Sequence, residues 1–200
     1  MGHKKVSKFR YLFFVIILIP KLSIAGFITQ WSFFYNTIFP LTENPVVNSY
    51  AYSKMDNAIF AGASIGRSAK LFLGPSYHLW NNSYQPSSSD TARTLSFTNF
   101  GASLLYFFDI KKRWKLELNY SPSVNGTRVL ANGTEEILTG NSYRVGFGYH
   151  RHFSKLFVLG FTVYYHSISI TDKVIGTTET KITDTYSGVL PMVELSFRTK

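Results

Sequence analysis

The sequence predicts an all-β chain: an eight-stranded antiparallel up-and-down transmembrane β-barrel following a cleaved signal peptide. Three observations predict it. Trp114-Lys115-Leu116-Glu117-Leu118-Asn119-Tyr120 alternates large apolar residues with polar or charged ones, and the pattern recurs along the chain. A strand sends alternate side chains to opposite faces, so such a segment separates a greasy surface from a polar one. Second, no apolar run after residue 25 approaches the length of a transmembrane helix, so a bilayer could be crossed only by a closed barrel. Third, short basic turns alternate with long polar stretches, as in barrels with short turns on one side of the membrane and long loops on the other.

Residues 1–25 read as a secretory signal peptide. Lys4, Lys5, Lys8 and Arg10 make a basic start, Tyr11 to Ile19 is the apolar segment, and Pro20 breaks it. Ser23-Ile24-Ala25 places small residues at the cleavage position, which leaves residues 26–200 as the barrel. The apolar run is too short to span a bilayer. The leader holds five of the 21 Lys and Arg residues and no acid, so 16 bases face 11 acids in the mature chain, a charge of +5 instead of +10. There is no basic stripe, and an exported chain of this kind implies no nucleic-acid partner. The absence of cysteine excludes disulfides and thiolate metal sites.

The strands follow in order. Phe27–Ile38 carries Phe27, Trp31, Phe33 and Tyr35 on one parity and a mixed face on the other. It is required as the first rising strand because strand number should be even. Residues 39–57, with Pro40, Pro45 and Asn48, would form the first outer loop. Ala58–Arg67 sets Ile59, Ala61, Ala63 and Ile65 against Phe60, Gly62, Ser64 and Gly66. Leu71–Asn81 sets Leu73, Pro75, Tyr77 and Leu79 against Gly74, Ser76 and His78. Thr94–Asp109 sets Phe100, Ala102, Leu104, Tyr106 and Phe108 against Asn99, Gly101 and Ser103, with Leu105 and Phe107 making the second face partly apolar. Arg113–Val124 contains the alternation described first. Ser142–His152 sets Tyr143, Val145, Phe147 and Tyr149 against Arg144, Gly146, Gly148 and His150. Leu156–Ser169 sets Phe157, Leu159, Phe161, Val163 and Tyr165 against Gly160, Thr162, Tyr164 and His166. Thr183–Arg198 sets Val189, Pro191, Val193, Leu195 and Phe197 against Gly188, Glu194, Ser196 and Arg198.

The basic turns Arg67–Lys70, Asp109–Arg113 and Arg151–Lys155 recur about every 42 residues, a hairpin-sized period. Long polar stretches, 81–93, 125–141 and 171–183, lie between them. Asn132-Gly133 is a two-residue turn signal that would pair Ala131 with Thr134, keep the polar faces together, and put Lys115 opposite His150. The hairpin would stand above the membrane, and Pro122 suggests a bulge in it.

A soluble barrel with an apolar interior has the same periodicity. The membrane arrangement is favoured because the apolar parity ends in aromatic residues, Trp114, Tyr120, Phe108, Phe157, Tyr165 and Phe197, as an interface girdle does. The opposite parity is rich in Gly and Ser with complementary charges, as a narrow lumen requires. No Gly-x-Trp signature of a soluble lipocalin-like carrier occurs. Lys115, Glu117, Arg144, His150, His166, Glu194 and Arg198 then form a polar network in the lumen, and eight strands leave that lumen filled by side chains. The network is expected to hold the barrel together and not to conduct.

Chemistry is sparse. His78, His150, His152 and His166 sit at different heights, with no compact His/Asp cluster, so neither a metal nor a cofactor is expected. Tyr165-His166-Ser167-Ile168-Ser169 invites comparison with outer-membrane lipid A deacylases. The His-x-Ser-Asn pattern is absent, though, and His166 lies on the opposite parity from Ser167 and Ser169, so no catalytic residue is expected. Asn81-Asn82-Ser83, Asn125-Gly126-Thr127 and Asn132-Gly133-Thr134 match glycosylation sequons and serve here as turn formers.

From Gly26 to Lys200 the pattern resembles small eight-stranded outer-membrane proteins of the OmpA/OmpX/OmpW-like kind. Many of these end on a terminal Phe that the assembly machinery reads, whereas Phe197 here is followed by Arg198-Thr199-Lys200. The resemblance implies a monomeric, non-enzymatic protein of the bacterial outer membrane. Its partners would be outer-membrane lipid, lipopolysaccharide and the barrel-assembly machinery, and its outer loops would act at the cell surface. A narrow channel for small or apolar solutes and a lipid A-modifying enzyme are the alternatives.

Overall fold

A computed structural model describes residues 26–37, 51–66, 68–85 and 92–199. The leader read at 1–25, most of the first outer loop and Ile38 lie outside the described residues. Eight antiparallel strands close into one ring: β1 (Phe27–Thr37), β2 (Ala51–Ile65), β3 (Leu71–Gln85), β4 (Arg93–Phe107), β5 (Trp114–Val129), β6 (Glu135–His152), β7 (Phe157–Ile175) and β8 (Thr178–Arg198). Each strand pairs with its sequence neighbours, and β8 returns to β1 from Ile28↔Arg198 to Phe33↔Val193. Closure leaves no sheet edge along that stretch, so the backbone donors and acceptors of the wall are satisfied within the wall itself.

The alternation seen in the sequence becomes an outside and an inside. Trp31, Ile59, Phe100, Leu118, Phe147, Phe161 and Leu195 point outward and stay exposed, while Gln30, Phe60, Asn99, Lys115, Gly146, Thr162 and Glu194 point inward. An exterior of large apolar side chains around a partly charged interior is the reverse of a soluble barrel and is the transmembrane arrangement. The interior has three apolar tiers. Ile28, Phe60, Ala69, Phe72, Leu105 and Phe107 fill the short-turn end. Tyr164, Leu190 and Met192, with Phe34, lie at mid-height. Trp80, Phe97, Val124, Leu138, Ile168 and Ile170 fill the opposite end, where Trp80 stacks on Phe97 at 5.2 Å.

Three expectations are corrected. The stretches 125–141 and 171–183 are mostly strand, turning only around Leu130–Thr134 and at Gly176-Thr177, and residues 51–57 also belong to β2. The sequence reading lost these segments because they leave the apolar zone. Their outward residues turn polar, while the cross-strand pairing of Thr, Val and Ile continues. Second, the Asn132-Gly133 turn is a three-residue loop. Gly133 adopts φ +79° and donates to Leu130, and the Leu130 amide is bonded to the Thr134 carbonyl. This is a type I turn closed by a left-handed glycine, which fits the right-handed twist of the hairpin. Third, Lys115 pairs with Gly148 and not with His150.

Pro122 explains how both halves of that hairpin stay in phase. The β5–β6 register shifts between Ser121 and Val124, and β4–β5 shifts between Phe100 and Ala102 at the same height. One extra residue in β5 accounts for both, and Pro, lacking an N–H, sits where a ladder bond is absent. Below the bulge Lys115, Glu117, Asn119 and Ser121 face inward. Above it Val124 and Gly126 do, so the inward parity of β5 changes from odd to even.

Candidate functional site inside the barrel

β5, β6, β7, β8 and β1 each contribute inward side chains to one buried cluster. The Lys115 ammonium lies 3.1 Å from Gln30 Oε1, and 2.9 Å each from Glu117 Oε2, Tyr164 Oη and Glu194 Oε1. Glu117 Oε1 accepts from the Arg144 guanidinium at 2.8 Å, and that guanidinium also lies 4.0 Å from the centre of the Tyr164 ring. Glu194 Oε1 accepts from Gln30 Nε2 and Ser32 Oγ, both at 3.1 Å, and from the Tyr164 hydroxyl. Its second oxygen meets His150 Nε2 at 2.6 Å and Thr162 Oγ1 at 2.7 Å. Lys115, Glu117, Arg144 and Glu194 are at most 1% exposed. Two cations face two carboxylates, so the cluster has no net charge, and burial is tolerable because each charge has partners.

The donors also fix the His150 tautomer. Arg198 contacts His150 Nδ1, and a guanidinium can only donate, so Nδ1 accepts and Nε2 carries the hydrogen given to Glu194. Arg198 further donates to the Lys112 carbonyl at 3.0 Å and lies 4.1 Å from the centre of the Phe107 ring. Arg198 and His150 thus join the charged cluster to the apolar tier at the short-turn end. Space for the bulkier members comes from small neighbours: a side chain at Gly146 would strike the Tyr164 ring, and one at Gly160 would strike His150.

His166 lies apart from the cluster. Asn99 Nδ2 donates to Ser142 Oγ at 3.1 Å and to His166 Nε2 at 3.2 Å, so the His166 hydrogen is on Nδ1. Its ring lies 5.9 Å from that of His78. Ser167 belongs to the opposite parity, and no group of three or more His, Asp or Glu able to hold a metal occurs among the described residues. Above His166 a cavity of about 10 Å³ is bounded by Lys54, Trp80, His166 and Leu190, room for about one water.

Lys115, Glu117, Arg144, His150, Glu194 and Arg198 therefore meet in one network, and His166 belongs to a separate tier. The sequence reading missed Gln30, Ser32, Thr162 and Tyr164 as members, and also Lys54 and Asp56, which face inward from the part of β2 read as loop. Gln30 and Ser32 alternate with Trp31 and Phe33, a signal that was present but short. The aromatic residues Phe108, Trp114, Phe157 and Phe197 project outward near the short turns, where Trp114 lies 4.9 Å from Tyr149 and Phe157 lies 5.4 Å from Phe197. Tyr120 and Tyr165 project outward farther up, with Tyr143 6.1 Å from Tyr165.

No family model and no curated protein matches the sequence. Among solved structures the chain is similar to the crystal structure of Neisserial surface protein A, with a TM-score of 0.53 and 15% identity, over 86% of this chain and 96% of that one. At that identity the likeness concerns the fold, and it agrees with the strand count, the closure and the apolar exterior: the chain is an eight-stranded up-and-down transmembrane β-barrel.

Proposed function

We propose that the protein is an integral barrel of a bacterial outer membrane whose lumen is plugged, and that it acts through its outer hairpins in envelope integrity or surface contact. The observation that carries this reading is the Lys115 ammonium, surrounded by Gln30, Glu117, Tyr164 and Glu194 with no exposure to solvent. A conducting lumen needs charges that stay hydrated along the path. Here they bond one another, with apolar tiers below and above. Phe108, Trp114, Phe157 and Phe197 would form the girdle nearer the short turns, and Tyr120 and Tyr165 the other, meeting outer-membrane lipid and lipopolysaccharide. The chain would enter through the barrel-assembly machinery and work as a monomer. No catalytic residue is assigned.

The test has two parts. Membrane-extracted protein should migrate differently on gels before and after heating, as closed barrels do, and in planar bilayers it should show no steady open channels. A protein that remains soluble without detergent would overturn the membrane reading, and steady conductance would overturn the plug.

A further inference from the structure

We infer that the short-turn end of the barrel is a docking surface for anionic phospholipid headgroups; this rests on the membrane reading proposed above. Charge is polarised along the barrel axis. The turns and strand ends at this rim carry Lys70, Lys111, Lys112, Arg113, Arg151 and Lys155, and Asp109 is the acid among them, held by Arg113 at 3.2 Å. The tall hairpins at the other end carry Glu135, Glu136, Asp172, Glu179 and Asp184 beside fewer bases. Lys111, Arg151 and Lys155 are exposed and form no ion pair among the described residues.

The second observation is apolar. Ile110 is 88% exposed and Phe153 70%, the highest values for large hydrophobic side chains among the described residues. Each occupies a short turn beside basic residues, Ile110 just before Lys111-Lys112-Arg113 and Phe153 between Arg151 and Lys155. In water these two side chains would be poorly accommodated and the neighbouring cations would be unpaired. Both needs are met in a headgroup layer, where apolar side chains reach the acyl boundary and cations meet phosphates. The outward aromatic residues Phe108, Trp114 and Phe157 lie next in sequence along the wall, which places the turns at headgroup depth. The partner that fits is the anionic phospholipid of the leaflet facing the short turns.

The test uses the full barrel inserted into lipid nanodiscs of phosphatidylcholine with one tenth phosphatidylglycerol. Native mass spectrometry then counts the lipids that stay bound on release. The wild type should retain phosphatidylglycerol several-fold above its bulk share, with the excess falling as salt rises. The variant Lys111→Gln/Arg151→Gln/Lys155→Gln alters exposed residues of two turns and the end of β6 and should lose most of that excess. Lys181→Gln, at the far end, should keep it. Insertion without enrichment, or equal enrichment in the triple variant, would overturn this inference alone. Failure of the chain to insert would overturn the membrane reading and this inference with it.

Discussion

Lys115 Nζ and Glu194 Oε1 lie 2.9 Å apart inside the barrel, although 79 residues separate them in the chain. The contact joins β5 to β8 across the lumen, so it needs the sheet to curl on itself. Glu117 sits on the other side of the same ammonium at 2.9 Å.

Removing both partners of one pair in this cluster should therefore cost less than the two single removals added together. Lys115→Met removes the ammonium that Glu117 and Glu194 share and leaves Glu194 without that cation in a dry interior. The expected loss is about 3–5 kcal/mol. Glu194→Gln leaves the cations of the network in excess and should cost a similar amount. The double variant leaves the Arg144–Glu117 pair, which is neutral, so its loss should be well below the sum of the single losses. Urea unfolding of the refolded barrel, followed by the gel shift between folded and unfolded bands, measures all three. Strictly additive losses would refute the coupling.

Sequence legibility followed the membrane. Between Trp114 and Tyr120 lipid on one side and the lumen on the other force strict alternation, and both faces of β5 are readable there. Beyond that zone both surfaces meet water, the outward residues become Thr, Glu and Lys, and the strand signal fades although pairing continues to Ile175. The cluster was half legible for a related reason. Charged residues such as Glu117 and Arg144 stand out among Leu and Gly, whereas Gln30, Ser32 and Thr162 are ordinary polar residues whose role depends on what lies across the ring. Asp56 and Lys54 were lost with the upper part of β2.

The register of the β5–β6 hairpin gives a direct check of its three-residue turn. Above the bulge Asn125 pairs with Thr139, and below it Leu118 pairs with Val145. A simple two-residue turn would instead put Asn125 opposite Gly140. Paired Cα atoms at cross-strand distance can be bridged by a disulfide, whereas positions on opposite faces cannot. Asn125→Cys with Thr139→Cys should therefore oxidise readily, and Asn125→Cys with Gly140→Cys should not. Non-reducing mass mapping of the two variants decides between the registers.

The upper hairpins should loosen in acid. Arg128 Nε lies 2.5 Å from Glu136 Oε2, and Lys173 Nζ lies 3.4 Å from Glu136 Oε1. Burial pushes the Glu136 carboxyl up, but the Arg128 hydrogen bond and charge, with Lys173, outweigh it and hold the group below the usual glutamate value of 4.5. A carboxyl depressed on folding contributes stability above its unfolded value, and that contribution is lost as pH falls through the folded value. A nitroxide at Ala131→Cys, on the hairpin tip, should keep constant mobility near neutral pH and become more mobile only below the usual glutamate value of 4.5. In a Glu136→Gln background that acid step should disappear. A step of equal size in both would assign the loosening to other groups.

The turn from Phe107 to Trp114 should respond with opposite signs to two neighbouring substitutions. Asp109 organises it: Oδ1 accepts from the Arg113 amide at 2.6 Å and the Trp114 amide at 3.0 Å, and Oδ2 accepts from Arg113 Nε at 3.2 Å. The two amides lead into β5, so Asp109 sets where that strand begins. Asp109→Ala leaves both amides without this acceptor and should cost about 1–3 kcal/mol. Asp109→Asn keeps one side-chain oxygen and should lose less. Lys112 adopts φ 52°, a left-handed conformation strained for any side chain with a Cβ. Lys112→Gly removes that strain without touching the Asp109 bonds, and should be neutral or stabilising by up to about 1 kcal/mol. The same urea gel-shift assay reads each effect. Both variants keep the carbonyl of residue 112 that Arg198 bonds, so if Lys112→Gly destabilised the barrel as much as Asp109→Ala, the left-handed position would not be strained by its side chain.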